Sequence, residues 1–447
     1  MNIQKSAYFS LLRIFRGIRV GYYYDLYWQD DQNGISLDTT INLLEQLLDH
    51  CQKHVPYYAN LMKDMGDSYH KDPIAYLQRL PILTKEIIRQ NFNELQSNDL
   101  AQRKWFYMTT GGSTGELGRV IQDYDFSSKA GAIQLLCSRL VGRETGECEV
   151  YLWGSEREIT HGSENWKVKL INRLTNSIYI NVFRMSPNKM HEIVQILNVK
   201  TPKLIIAYAE SITSLAKFIE DENIYIKPQK AIITSAETLY PFMRERIERV
   251  FQGKVFNRYG SREIGNIACE RPGCEGLWVA PWGNYLEILD SLGNRVPEGT
   301  GGEIIVTSLM NYAMPLIRYR IDDHGALLPQ EYKNPKIFGQ VIKDLDGRTY
   351  NLLKTKTGDI VSPGYIMGLF YYKDWVKRFQ IIQKKPSNIL YKVILTDQLP
   401  HTSELDEIAT KTRLVFGDDC LVEFKFVDDI AASGSGKYQW VINDIRE

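Results

Sequence analysis

The sequence predicts an α/β protein in which a large N-terminal domain, with mixed and parallel sheets covered by helices, precedes a small α+β domain. Three observations predict it. Apolar β-branched runs such as Lys203-Leu204-Ile205-Ile206 and Lys230-Ala231-Ile232-Ile233-Thr234 are each followed by a helical segment, Ile212 to Glu220 and Pro241 to Phe251. Strands alternating with helices in this way form a parallel sheet with both faces covered. Residues 284–320 then turn strand-rich around the turn Gly299-Thr300-Gly301-Gly302, and a different pattern begins near Arg348. The predicted domains are 1–347, with a helical part over 1–100, and 348–447.

At the N-terminus, Tyr8, Leu11, Leu12, Ile14, Phe15, Ile18 and Val20 are interspersed with Arg13, Arg16 and Arg19 ahead of Tyr22 to Tyr24. A basic amphipathic helix of this kind either docks on its own domain, the commoner arrangement, or makes peripheral contact with a membrane surface. Residues 36–100 read as helical, with Leu43, Leu44, Leu47 and Leu48 at helical spacing and Pro81 breaking the chain. The alternating units run from about residue 129, with a further strand at Lys254 to Phe256. Beyond residue 348, Ile381 and Ile382 with Leu390 to Leu395 predict a hairpin, followed by an amphipathic helix over 402–416 and a strand over 421–427.

Composition removes several classes of function. Lys plus Arg and Asp plus Glu number 54 each, so no global field favours nucleic acid or an anionic membrane. No apolar run approaches the ~18 residues of a spanning helix, and the N-terminus lacks a signal-peptide pattern. The six cysteines are scattered, which suits reduced thiols in a cytoplasm. Cys269 and Cys274 are close enough for half of a zinc site, but no His or second Cys pair completes it; two ordinary loop cysteines are the simpler reading.

The most informative stretch is Tyr107-Met108-Thr109-Thr110-Gly111-Gly112-Ser113-Thr114-Gly115-Glu116. Glycines let successive backbone N–H groups turn inward as a nest for an anion, and the Thr and Ser hydroxyls add donors at its rim. Alone, it is either a phosphate loop or a flexible surface loop. Glu116 stands where a GxxxxGK[ST] loop wants Lys, and Gly436-Lys437 is followed by Tyr438 with Ala431 five residues before Gly436, so Walker-type chemistry is disfavoured. Further signals follow in order: Asn257-Arg258-Tyr259-Gly260-Ser261-Arg262-Glu263-Ile264-Gly265, Pro315-Leu316-Ile317-Arg318-Tyr319-Arg320-Ile321-Asp322-Asp323, Asp346-Gly347-Arg348 and Ser433-Gly434-Ser435-Gly436-Lys437.

Together these resemble the adenylate-forming superfamily of acyl-CoA synthetases, adenylation domains and luciferases. Val55-Pro56-Tyr57-Tyr58, Leu80-Pro81-Ile82-Leu83-Thr84-Lys85, Ser235-Ala236-Glu237 and Tyr259-Gly260-Ser261-Arg262-Glu263 look like its phenylacetate-CoA ligase and CapK-type (capsule biosynthesis) branch. The resemblance implies that Thr109, Thr110, Gly111, Gly112, Ser113, Thr114 and Gly115 hold the phosphates of ATP. It implies that Ser235, Ala236, Glu237, Tyr259, Gly260 and Ser261 belong to the nucleotide site, with Tyr259 against adenine. Glu263 would ligate Mg²⁺, Asp323 would accept the ribose hydroxyls, and Arg348 would contact ribose or phosphate beside a hinge near Tyr350. Lys437 would reach the carboxylate and α-phosphate from a mobile C-terminal lid. Trp153, Tyr208, Ala236, Gly260 and Ile264 would line the pocket of a small-molecule carboxylate.

The implied reaction activates that carboxylate to an acyl-adenylate and passes the acyl group to coenzyme A. A glycan-precursor amine or hydroxyl is a second acceptor, and a nucleotide-binding scaffold without catalysis is a third reading. Leu117 and Gly118 follow the loop where the family usually has Pro and Lys, with Arg119 one place further. Asn351 replaces a common acidic residue, and Gly111 replaces a hydroxyl.

Overall fold

The computed structural model describes residues 8–10, 12–13, 18–34, 37–109, 119–153, 166–182, 185–348, 353–358, 360–361, 363–370, 373–430 and 439–445. They divide into two compact units: residues 1–239, 243–321 and 325–344 form the first, and residues 240–242, 322–324 and 345–447 the second.

The first unit begins with helices α1 (Val20–Asn33) and α2 (Leu37–His54) and the short helices Pro56–Met62, Pro73–Arg79 and Lys85–Gln90. Strands β1 (Trp105–Thr109) and β2 (Arg119–Asp123) pair antiparallel and lead into α3 (Tyr124–Leu140). The alternating part follows: β3 (Glu149–Trp153), α4 (Trp166–Thr175), β4 (Ser177–Asn181), α5 (Pro187–Lys200), β5 (Leu204–Tyr208), α6 (Ala209–Asp221), β6 (Ala231–Ser235), α7 (Pro241–Phe251) and β7 (Lys254–Ser261). Strands β3, β4, β5, β6 and β7 pair parallel. The central strands are buried, with Leu204, Ile205, Ile206 and Ile232 fully enclosed, as helices on both faces require.

Beyond β7 the sheet continues with β8 (Gly265–Glu270), β9 (Leu277–Val279), β10 (Asn284–Leu289), β11 (Gly302–Ser308), β12 (Tyr319–Leu327) and β13 (Val341–Arg348). The order is β10-β11-β12-β13-β9-β8-β7-β6-β5-β3-β4, eleven strands in all. Strand β10 ends that order. The Gln340 amide meets Leu286 there, its Oε1 accepting from the backbone N–H and its Nε2 donating to the carbonyl, both at 2.8 Å.

The amphipathic N-terminus docks. Tyr24 and Tyr27 of α1 are buried, and Tyr27 stacks on Trp282 at 4.5 Å. Tyr23 donates to Asp125 of α3 at 2.7 Å, and Arg271 grips Asp31 through two oxygens at 2.6 and 3.1 Å. Leu11, Ile14 and Phe15 lie outside the described residues. Among the described residues no helix is long and apolar enough to cross a membrane.

In the second unit, β14 (Leu353–Lys354) pairs with β15 (Ile360–Val361). A four-stranded sheet follows from β16 (Val376–Lys385), β17 (Asn388–Leu395), β18 (Leu421–Phe426) and β19 (Val441–Asn443), in the order β18-β17-β16-β19. Helix α8 (Thr402–Phe416) covers it, with Ile408 and Phe416 joining Phe370, Phe379, Ile381, Ile389, Tyr391 and Val393 in one core. The expected hairpin is β16–β17, and the helix over 402–416 has its predicted bounds.

Candidate active site

Parallel strands place their carboxyl ends at one edge of the sheet, where open α/β folds hold ligands. Trp153, Tyr208 and Ser235 are the last residues of β3, β5 and β6. The Trp153 and Tyr208 rings stack with centroids 4.1 Å apart. Ala236 follows at φ 69°, a left-handed conformation that costs a residue with a Cβ and turns the chain sharply off the strand. Glu237 Oε2 accepts the backbone N–H of Glu210 at 2.9 Å, setting a carboxylate at the N-terminus of α6, where the helix dipole favours it.

Strand β7 runs on into a hairpin with β8 that carries the Tyr259–Glu263 motif. A bulge between Tyr259 and Gly260 alters the pairing, and Tyr259 is almost fully buried. A Cβ at Gly260 would stand 2.3 Å from the Gly265 carbonyl oxygen, so only glycine fits. Ser261 Oγ accepts from the Ile264 N–H at 3.2 Å and tightens the turn, while Ile264 itself is fully buried. Glu263 Oε1 accepts from the Tyr319 hydroxyl at 3.3 Å.

The phosphate-loop ends are held together because Thr109 and Arg119 are direct partners in the β1–β2 ladder. Residues 110–118, and with them Thr110, Gly111, Gly112, Ser113, Thr114 and Gly115, lie outside the described residues. The Arg119 guanidinium lies over the Tyr107 ring at 4.3 Å and the Phe92 ring at 4.8 Å. Three residues further along β2, buried Gln122 donates from Nε2 to the carbonyls of Arg262 at 2.9 Å and Glu263 at 3.1 Å. One amide thus ties the strand leaving the loop to the turn that carries Glu263. Asp123 caps α3 by accepting from the Phe126 N–H at 2.7 Å, and it takes Arg103 Nη1 at 3.0 Å. Arg103 also grips Asp99 at 2.8 and 2.7 Å, and these bonds hold the Asp99 carboxyl well below the ordinary carboxylate range.

The Leu80–Lys85 and Pro315–Asp323 motifs meet. Leu83 N–H donates to the Arg318 carbonyl and Arg320 N–H to the Leu83 carbonyl, both at 2.9 Å. Arg318, buried and at φ 51°, donates to both Glu287 oxygens at 3.0 and 3.1 Å and to the carbonyls of Gln78 and Leu80 at 2.9 and 2.5 Å. Its role is architectural.

Apart from Glu237 and the Gly-rich loop described above, the sequence-predicted residues fall into three groups. Trp153, Tyr208, Ser235, Ala236, Tyr259, Gly260, Ser261, Glu263 and Ile264 gather along the carboxyl edge of the parallel strands. Asp323, buried on β12, and Arg348, which closes β13, belong to the second unit, where His324 Nδ1 meets Asp346 Oδ2 at 2.8 Å. Lys437 and the hinge near Tyr350 lie outside the described residues. Sequence reasoning gave no role to Gln122 or Tyr319; a lone glutamine amid the apolar residues of β2 was the available sign.

Cys269 hydrogen-bonds to Cys137 of α3 and not to Cys274; that bond and burial push the Cys269 thiol up, and burial pushes Cys274 up to about 11. Among the described residues no group of three or more His, Cys, Asp or Glu is placed to hold a metal.

Residues 353–444 match the CapK C-terminal domain family. Protein CapK of Staphylococcus aureus is 26% identical over 409 residues, covering 90% of this chain and 88% of its own length. The chain is a homologue of CapK. Phenylacetate-coenzyme A ligase of Aromatoleum evansii is 23% identical over 74% of this chain and 76% of its own length. Among solved structures, 2-hydroxyisobutyryl-CoA ligase in the postadenylation state, in complex with R3-HIB-AMP, superposes with a TM-score of 0.70 at 18% identity, over 91% of this chain and 89% of that one. The CapK homologue thus has the adenylate-forming fold, and its resemblance to the phenylacetate-CoA ligase and CapK branch holds along most of its length.

Proposed function

We propose that this CapK homologue is an AMP-forming ligase that activates a carboxylic acid with ATP and passes the acyl group to coenzyme A. The carrying observation is the Tyr259–Gly265 hairpin at the carboxyl edge of the parallel strands, with Glu263 presented beside the base of the Gly-rich loop. In the first step a carboxylate oxygen attacks the α-phosphorus of ATP; that P–O bond forms as the bond to the β-phosphate oxygen breaks, and pyrophosphate leaves. In the second, the acceptor attacks the acyl carbon and AMP leaves. The first barrier is the approach of two anions, so the protein's task is positioning and positive charge.

Glu263 suits Mg²⁺ held jointly with nucleotide phosphates: it is one carboxylate whose partner among the described residues is a hydroxyl, not a cation. Bound there, Mg²⁺ offsets phosphate charge. Tyr259 supplies a face for adenine, Thr109 to Gly115 the phosphate nest, Asp323 the ribose contact, and Arg348 and Lys437 the cations. The likeness to CapK supports a second reading of the last step, in which the acceptor is an amine or hydroxyl of a polysaccharide precursor. All six cysteines are free, which supports a cytoplasmic setting.

Carboxylate-dependent ATP–pyrophosphate exchange over a panel of acids tests the first step, and AMP release on adding coenzyme A tests the second. Tight ATP binding with no exchange for any acid would remove the adenylating reading.

A further inference from the structure

We infer that the acid activated by this protein carries a second anionic group, which pairs with Arg258. The inference rests on the adenylating reading proposed above. Its basis is a row of side chains across four neighbouring strands. Tyr208 pairs in register with Ser235, Ser235 pairs with Arg258, and Leu152 pairs with Ala207, which sets Trp153 beside Tyr208. Directly paired residues of parallel strands project to one face, so Trp153, Tyr208, Ser235 and Arg258 form a single line. At about 4.8 Å between strands, that line is roughly 14 Å long. Tyr259, one residue on from Arg258, points to the opposite face.

The row is aromatic at one end and cationic at the other. Arg258 is half-buried, and its hydrogen bond is to Ser235 Oγ, at a long 3.4 Å from Nε. No carboxylate among the described residues pairs with it. The nearest candidate on this face, Glu149 of β3, feels the charge of Arg258 but makes no ion pair with it. Glu149 is already engaged by Arg143 at 3.1 Å and Ser177 at 2.6 Å. A half-buried guanidinium that no carboxylate touches among the described residues presents a planar fork of donors suited to a carboxylate or phosphate. The reacting carboxylate is the poorer occupant, because Lys437 is the cation proposed for it above. A spectator anion at the far end of the acid, with its body along the Trp153–Tyr208 wall, satisfies both demands.

The test is pyrophosphate exchange with matched pairs of acids: glutarate against butyrate, terephthalate against 4-methylbenzoate, and 3-phosphoglycerate against glycerate. Calorimetric binding of the same acids is measured in parallel on the wild-type protein and on Arg258→Gln and Arg258→Lys. In at least one pair the dianion should exceed its partner in kcat/KM by roughly 10- to 150-fold, the range for one charge-assisted contact. Arg258→Gln should erase that preference while leaving the monoanion within about threefold, with ATP binding intact; Arg258→Lys should keep part of it. The carboxylate and phosphate pairs reveal which anion is taken. Equal use of both members in every pair, or an equal loss of both in Arg258→Gln, overturns the inference. Silence in exchange with dianion binding that depends on Arg258 would uphold this site and remove the adenylating reading. Absence of both would remove the two together.

Discussion

Replacing Gln122 by leucine is a direct probe of how the Gly-rich loop and the Glu263 turn are coupled. The substitution nearly conserves volume and removes both donors, at 2.9 and 3.1 Å, from the Arg262 and Glu263 carbonyls. Each bond is neutral and contributes about 1 kcal/mol net, and a carbonyl left dry costs about 1–3 kcal/mol more. Arg262 is exposed and Glu263 partly so, which lets water reach the turn and holds the second term near its lower end. The expected cost is therefore about 2–3 kcal/mol, felt by the hairpin first. Since about 1.4 kcal/mol is a factor of ten, a turn that loses half of this in positioning should raise the KM for Mg·ATP in pyrophosphate exchange by roughly tenfold. Gln122→Glu should be worse at neutral pH, because it aims an anion at two carbonyl oxygens, and should recover partly as pH falls and the carboxyl regains a donor. An unchanged melting temperature together with an unchanged KM in Gln122→Leu would refute the coupling.

Three further outcomes are expected. Gly260→Ala drives a Cβ to within 2.3 Å of a backbone oxygen, so the hairpin must rearrange; overpacking of this kind costs about 1–3 kcal/mol or more, read as a lower melting temperature with loss of exchange. Lys437→Ala should cut adenylation by about 10²–10³-fold, and exchange within threefold of wild type would count against the role proposed for it. Asp99 has a depressed carboxyl pKa, so its stabilisation is complete above the ordinary aspartate value of about 4 and is lost as pH falls through the depressed one. Arg103→Met removes the largest cause of that depression, leaving the Ser97 hydroxyl bond at 2.6 Å, and its acid-unfolding profile should fall less steeply below about pH 4 than that of the wild type.

Much of this architecture could be read from periodicity. Helices α7 and α8 have their predicted bounds because apolar spacing and flanking breaks fix both ends locally, and β5, β6 and the β16–β17 hairpin were visible as β-branched runs. The antiparallel continuation through β8, β9, β12 and β13 was not read as strands. Apart from the three-residue β9, those segments mix Asp, Glu, His or Gly into short runs, and what makes all of them strands is pairing with partners distant in sequence. Candidate residues carried by a local motif, such as Tyr259 to Glu263, could be proposed from the chain alone. Gln122, Tyr319 and Arg258 could not be assigned roles, since each depends on what a neighbouring strand sets opposite it. Arg258 stood inside a recognised motif, yet the absence of a touching carboxylate among the described residues is a property of four strands taken together.

The Gln340 amide at Leu286 has a consequence for the life of the protein in a crowded solution. An outermost strand is a template on which another chain can grow a sheet, and proteins blunt such edges with charge, proline or cover. Here cover is complete: all six residues of β10 are buried, the Gln340 amide imitates a passing peptide group at Leu286, and the Val296 N–H donates to the Ile288 carbonyl at 3.0 Å. Conversion of Gln340 to glutamate, whether by mutation or by slow deamidation, would leave the Leu286 carbonyl without its donor and set a carboxylate against it in a buried margin, so the damage would appear as lost stability.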